Sequence, residues 1–284
     1  MAPSRLQIEE TIDRALAEDL GKGDVTTEAL IPGDRKGTGF LVAKKEGILA
    51  GVHVAKQVFH RVDPELKVEV LLEDGAGVRP GTRIADVSGS IASILKAERV
   101  ALNFLQRLSG IASVTNRYVE AVKGLPVRIM DTRKTTPGLR LLEKHAVRAG
   151  GGENHRMSLG DAILIKDNHL AALRRQGLNI KEIVAKARRE SPERLSVEVE
   201  VGTVAEALEA VEAGADTVML DNMSLDDMRE AVKSIGGRGL IEASGGITLD
   251  NVRAVAETGV DSVSVGALTH SVVALDISLE LEGQ

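Results

Sequence analysis

From Val127 onward the chain alternates short aliphatic runs with amphipathic helical stretches, and that rhythm restricts the fold more than any other feature. The runs are Val127–Met130, Ala162–Ile165, Val197–Val201, Thr217–Leu220, Leu240–Ala243 and Ser262–Val265. The last four begin 20 to 23 residues apart. That leaves room for a strand, a loop and about three turns of helix. The stretches Ile180–Glu190, Val204–Ala213, Leu225–Ile235 and Leu249–Thr258 each carry an apolar stripe at helical spacing. Two of them end in matching phrases, EAGAD-TVML and ETGVD-SVSV, where Gly214 and Gly259 suit left-handed helix caps. Aliphatic strands joined through helices belong to a parallel sheet buried on both faces. A barrel and an open sheet both satisfy the pattern, and the barrel is the preferred reading.

The preceding stretch obeys another grammar. It reads as a helix over Leu6–Leu20, strands at Thr38–Val42, Gly47–Ala50 and Lys67–Leu72, and a helix over His53–Arg61. Gly75, Gly77, Pro80 and Gly81 mark turns, and two helices are expected at Ile91–Leu108 and Ala112–Val122. This is the pattern of an α+β domain.

Composition narrows the function. The net charge of −6, with one Tyr, three Phe and no Trp, argues against a nucleic-acid binder, which needs a basic face and rings on which to stack bases. There are no cysteines, no secretory pattern in the first residues and no apolar run long enough for a membrane-spanning helix. A cytoplasmic protein is expected. Against the acidic background, the segment from Asp131 to His169 holds seven Lys/Arg, five Asp/Glu and three of the six His. That local excess suggests a small anionic ligand or, equally, a solvated patch of mixed charge.

The polar groups follow the strands. Reading forward, the runs lead into Asp131-Thr132-Arg133-Lys134, Lys166-Asp167-Asn168-His169, Asp221-Asn222, Ser244-Gly245-Gly246 and Gly266. Glu198 and Glu200 lie inside a run, two apart, and so share a face. The carboxyl-terminal mouth of a βα barrel is where its chemistry sits. Arg133, Lys134, Arg156 and Lys166 would repel one another at one mouth unless an anion with several carboxylates or phosphates lay among them. Glu200 and Asp221 suit a hard divalent cation or sugar hydroxyls, with structural ion pairing as the alternative. Ser244-Gly245-Gly246 ahead of a helix suits a phosphate, and Gly266-Ala267 could complete that site. His155 is either an anion donor or a structural histidine. No Walker A, dinucleotide, HExxH or G-x-S-x-G motif is present.

Taken together and in order, EDLGKGDVTTEAL, AERVALNFLQRLSGIAS, DTRKTTPGLR, EKHAVRAGGGENHR, LIKDNH, VEVEV, LDN, ASGGIT and VGALTH resemble the quinolinate phosphoribosyltransferases, also called nicotinate-nucleotide pyrophosphorylases. The resemblance covers nearly the whole chain. Two departures are His145, where an aromatic is usual, and Ser113, where Thr is common. The resemblance implies an N-terminal α/β sandwich over residues 1–110 and an incomplete α/β barrel of about six parallel strands over 111–268. A segment over 269–284 would return to the first domain. It implies conversion of quinolinate and phosphoribosyl pyrophosphate, with Mg2+, to nicotinate mononucleotide, pyrophosphate and carbon dioxide in NAD biosynthesis.

Carried over by position, Thr132, Arg133, His155, Arg156 and Lys166 would hold the pyridine dicarboxylate. Arg99 would join them from the partner of a homodimer. Lys134 would meet the donor's phosphates. Glu200 and Asp221 would take the ribose hydroxyls and the metal. Ser244, Gly245, Gly246, Val265, Gly266 and Ala267 would cradle the 5′-phosphate. Lys134, Lys166, Glu200 and Asp221 are the candidates for groups closest to the reacting bonds. The rivals are the related protein found with molybdenum-transport genes and a non-catalytic phosphometabolite binder. The intact set of cations speaks against the first and the Glu200–Asp221 pair against the second.

Overall fold

The computed structural model describes residues 5–191 and 195–283. The chain forms two compact units, one from Met1–Asn116, Thr135–Gly151 and Ala267–Gln284, the other from Arg117–Lys134 and Gly152–Gly266.

The first unit opens with helices α1 (Arg5–Leu20) and α2 (Val25–Leu30), the latter capped by the Asp24 carboxylate on the Thr27 N–H. Strand β1 (Lys36–Ala43), the short β2 (Gly47–Ile48) and helix α3 (Val52–Val62) follow. Next come β3 (Lys67–Val70), β4 (Gly77–Val78) and β5 (Arg83–Ser90). Helix α4 (Ile91–Ala121) is continuous over 31 residues. The expected break near Gly110 does not occur. That glycine is there because a side chain would collide with the Val273 carbonyl, so its signal is close packing and not helix termination. Ser109 and Ser113 of α4 stitch the β2 region down: their hydroxyls accept the Ala50 and Ile48 N–H groups at 3.0 and 2.8 Å. A serine at 113 thus supplies the hydroxyl that a threonine would.

Later segments complete this unit. Helix α5 (Arg140–Ala149) places His145 Nε2 at 2.7 Å from Asp74. Burial pushes the Asp74 carboxyl upward, but the bonds from His145 and the Val52 N–H outweigh it and hold the group below its ordinary range. The histidine at 145, where Tyr is the usual aromatic, thus has a polar partner in Asp74. The last strand pairs antiparallel to β1, giving the sheet order last strand–β1–β5–β3.

The second unit supplies the alternating rhythm. Strands β6 (Arg128–Met130), β7 (Ile163–Ile165), β8 (Val197–Val201), β9 (Thr217–Asp221), β10 (Leu240–Ser244) and β11 (Ser262–Ser264) form one all-parallel sheet in the order β6-β11-β10-β9-β8-β7. The order has two ends, so this is an open, TIM-like barrel sheet. Helices α6 (Asp167–Arg174), α7 (Ile180–Glu190), α8 (Val204–Glu212), α9 (Leu225–Ile235) and α10 (Val252–Ala256) connect the strands. Two short elements end the chain, α11 (Ala267–His270) and β12 (Ile277–Leu281), the strand that pairs with β1.

The matching phrases acquire a meaning here. Gly214 and Gly259 both take positive φ, at 90° and 95°. The aspartates that follow clamp the neighbouring strands. Asp216 accepts the Val197 N–H at 2.6 Å, and Asp261 accepts the Ile241 N–H at 2.8 Å. Each returns its own N–H to the carbonyl of the same residue, both at 2.8 Å. The motif therefore fixes register at the amino ends of β8 and β10. Asp261→Ala leaves the Ile241 N–H without its acceptor and should lower unfolding stability by about 1–2 kcal/mol in chemical denaturation, with little effect on the far end of the sheet. No loss of stability would show that the clamp does not hold the register.

Candidate functional site

All six strands of a parallel sheet end on the same rim, and there the chain builds a cleft of about 610 Å3. Its construction begins with Asp131, fully buried just after β6. The Asp131 carboxylate accepts the His155 N–H at 2.9 Å and the Asn154 amide at 2.6 Å. Backbone bonds join the same pieces, Asp131 N–H to Glu153 C=O at 3.2 Å and Glu153 N–H to Ile129 C=O at 2.8 Å. These bonds dock the segment carrying His155 and Arg156 beside the first strand.

Arg133 and Arg156 line the cleft, and in both the buried Nε has no hydrogen-bond partner. Arg156 spends one terminal nitrogen on the Ala162 carbonyl at 2.9 Å. Burial first, then the nearby Arg133, pull its pKa below the ordinary range. Two guanidiniums, each with a buried and unspent Nε donor, are of the kind that an anion would satisfy. Thr132 accepts the Lys134 N–H at 3.0 Å and shapes the turn from which Lys134 extends into the same cleft.

Lys166 follows β7 and sits 3.7 Å from Glu200 of β8. His169 Nδ1 accepts the Lys166 N–H at 2.9 Å, which closes the first turn of α6 and sets the direction of the lysine. Burial above all pushes Glu200 upward, Lys166 opposes, and Asp221 and Asp167 add to the upward push. A cation beside Glu200 and Asp221 would relieve that repulsion. Gly245 and Gly246 follow β10 with φ of 86° and 61°, and a methyl on Gly245 would run into the Asn222 amide.

The structure thus brings Thr132, Arg133, Lys134, His155, Arg156, Lys166, Glu200, Asp221, Ser244, Gly245 and Gly246 to one cleft. Val265 is buried, donates its N–H to the Met130 carbonyl at 2.9 Å, and with Gly266 is outside the lining of that cleft. Ala267 begins α11, and Arg99 is exposed on α4; both belong to the first unit. Sequence reading noted Asn222 only as a polar strand end, and missed Ser264 and Glu242. Glu242 lies within an otherwise aliphatic strand, which is the signal that could have found it.

Glu242 is 2% exposed and its carboxyl is pushed up to about 7, by burial first and by Glu198 next, against the pull of His155, Ser264 and Ser262. Its proton is held more tightly in the folded than in the unfolded chain. The associated stability is complete below the unfolded value of 4.5 and is lost as pH rises through about 7. From about pH 5 to about pH 8 the wild type should lose stability relative to Glu242→Gln, as read from denaturation midpoints. A difference that does not change with pH would contradict this.

Comparison with known proteins agrees with this architecture. The sequence matches the family models "Quinolinate phosphoribosyl transferase, N-terminal domain" over residues 24–109 and "C-terminal domain" over 111–280. It is 43% identical to a probable nicotinate-nucleotide pyrophosphorylase [carboxylating] of Bacillus subtilis, covering 98% of this chain and 94% of that one. It is 45% identical to the chloroplastic nicotinate-nucleotide pyrophosphorylase [carboxylating] of Arabidopsis thaliana, over 95% and 82%. Among solved structures, NadC from Streptococcus pyogenes superposes with a TM-score of 0.93 at 45% identity, covering 99% of this chain and 98% of that one. A nicotinate-nucleotide pyrophosphorylase from Pyrococcus furiosus, 21% identical, shares the fold with a TM-score of 0.70 over 99% and 78%. With both domains matched in order and relatives this similar along nearly the full length, the chain belongs to the quinolinate phosphoribosyltransferase family.

Proposed function

We propose that the protein transfers a phosphoribosyl group from phosphoribosyl pyrophosphate to quinolinate, with loss of carbon dioxide, to give nicotinate mononucleotide for NAD synthesis. The observation that carries this is the pair of buried, unspent Nε donors of Arg133 and Arg156 in a cleft shared with Lys134 and Lys166. A pyridine dicarboxylate supplies two anionic groups on one rigid plane, which suits two guanidinium forks and a lysine.

The rest of the cleft suits the second substrate. The Ser244-Gly245-Gly246 turn offers backbone N–H groups to the 5′-phosphate. Lys134 would meet the pyrophosphate, and Glu200 and Asp221, which line the same cleft, would hold the ribose hydroxyls. Two carboxylates lining one cleft, with Glu200 raised by burial first and then by Asp221 and Asp167, fit a magnesium ion. Magnesium, when bound, offsets charge on the departing pyrophosphate.

The chain's own residues then work by position. The cationic wall aligns the pyridine nitrogen with the anomeric carbon. The nitrogen's electron pair forms the new C–N bond as the C–O bond to pyrophosphate breaks. Lys134 stabilises the charge that leaves. The alkylated, positively charged ring then accepts the electron pair released with carbon dioxide, and the ring carbon takes up a proton. No covalent protein nucleophile enters. Arg99, exposed on α4, would reach the dicarboxylate of a partner subunit's site, so the active form is a homodimer. No described helix is long and apolar enough to cross a membrane, and a cysteine-free chain suits a reducing cytoplasm.

Purified protein with magnesium and both substrates should release carbon dioxide and pyrophosphate in equal amounts. Turnover of nicotinate in place of quinolinate would overturn the assignment. Gly245→Ala should raise the KM for phosphoribosyl pyrophosphate about tenfold, through strained backbone and the collision with Asn222, while the KM for quinolinate stays within about threefold. Arg99→Ala and Arg133→Ala should each be nearly inactive alone. Mixed and re-associated, they should regain part of the activity, because a hybrid dimer has one site with both arginines. Failure to complement would argue against the shared site.

A further inference from the structure

Behind the cationic wall lies a cluster that the reaction above does not use. Glu198 of β8 and Glu242 of β10 are 7% and 2% exposed, and both approach His155 Nε2, at 3.0 and 3.7 Å. Ser262 and Ser264 of β11 donate to the two oxygens of Glu242. Two buried carboxylates are costly to keep, and so close to the pocket they weaken its pull on an anion. Their retention calls for a function that offsets both effects.

The hydrogen bonds around His155 supply one. Nδ1 accepts the backbone N–H of Arg156 at 2.8 Å, so it carries no proton. Nε2 faces Glu198 and is therefore the protonated nitrogen. Both ring nitrogens are engaged within the protein. The ring becomes a strut: one end is held by β8 and β10, the other fixes the main chain of Arg156. With the Ala162 carbonyl holding a terminal nitrogen of Arg156 at 2.9 Å, the guanidinium is located from both ends and its unspent Nε is left for the ligand.

We propose that Glu198 and Glu242 are positioning residues that hold His155 as its Nε2–H tautomer and, through Nδ1, fix the backbone of Arg156, so that Arg156 and not a histidine N–H reads the substrate carboxylate. This rests on the function proposed above as to which substrate is read, but the state of the ring can be tested without it.

Labelling the six histidines with 15N and assigning His155 by its loss in His155→Asn gives the first test. The expected wild-type spectrum shows a neutral ring with the proton on Nε2. An imidazolium, an Nδ1–H tautomer, or an Nε2 stripped of its proton by a metal ion among His155, Glu198 and Glu242, whose ligand atoms lie within 4.8 Å of one another, would each overturn the proposal. The second test is kinetic. Glu242→Leu should raise the KM for quinolinate about tenfold and leave that for phosphoribosyl pyrophosphate within about twofold. Glu242→Gln, which keeps the shape and an acceptor for Ser264, should stay within about threefold on both. A parallel rise in both KM values, or the same ring signal in Glu242→Leu as in the wild type, would refute the strut. If Glu242→Leu does not fold, the wild-type spectrum and the glutamine variant still decide. Wild-type protein inactive toward quinolinate would defeat the functional reading while leaving the tautomer result to stand or fall by itself.

Discussion

The site depends on one fully buried carboxylate. Asp131 directly follows the first barrel strand, and the chain leaves this unit after Lys134, returning at Gly152. Nothing in the local sequence obliges the returning segment to sit beside β6. The Asp131 side chain does, by taking the His155 N–H and the Asn154 amide, and the parallel bridge from Met130 to Glu153 lays the segment along the strand edge. An open parallel sheet has an edge with unspent donors and acceptors, and here part of that edge is used to hold functional side chains. The Asp131 carboxylate spends its oxygens on the returning segment and lies outside the lining of the cleft, so it does not occupy the ligand's place.

The cations themselves are under-compensated. Arg156 is shifted downward by burial and by Arg133, and both guanidiniums keep a buried Nε without a partner. In a core this would be a defect. At the carboxyl rim of a parallel sheet it is stored affinity: the desolvation cost is met when the chain folds, so a bound dianion gains interactions without further reorganisation. Glu200 carries the complementary strain, pushed upward by burial with Asp221 and Asp167 nearby. One cleft thus holds a region short of negative charge next to a region short of positive charge, the arrangement that a dicarboxylate and a metal-bound pyrophosphate would satisfy together.

Much of the second unit was legible because its signals are periodic. Aliphatic runs at near-constant spacing located all six strands to within a residue or two, and the polar groups after four of them, at 132–134, 166, 221–222 and 244–246, reach the cleft, while Gly266 does not. The first unit was less legible. Strand β5, RIADVSGS, has small and polar residues where it faces neither core nor solvent cleanly, so no alternation stands out. Helix α5 has a clear stripe in Leu142, Ala146 and Val147, but its residues draw attention as a family phrase before they do as a helix. Gly110 looked like a helix end because sequence cannot tell a glycine needed for chain reversal from one needed for close packing. Glu242 escaped for a related reason: a lone glutamate in an aliphatic strand has no partner at any fixed spacing, since its partners come from β8, β11 and the His155 segment.

Glu198 and Glu200 show how little separates support from chemistry in such a barrel. They are two residues apart on one strand and share a face, about 6.6 Å apart along the strand axis. The deeper one is 7% exposed and faces His155. The outer one meets Lys166 and opens to the cleft with Asp221. Had the register of β8 shifted by a single residue, both would point into the surrounding helices. The Asp216 clamp on the Val197 N–H, at the opposite end of the strand, is one of the bonds that hold this register, beside the ladders to β7 and β9. The repeated Gly-x-Asp phrase after the helices contributes by this route: it touches no substrate, and it holds the amino ends of β8 and β10, the strands that carry Glu198, Glu200 and Glu242.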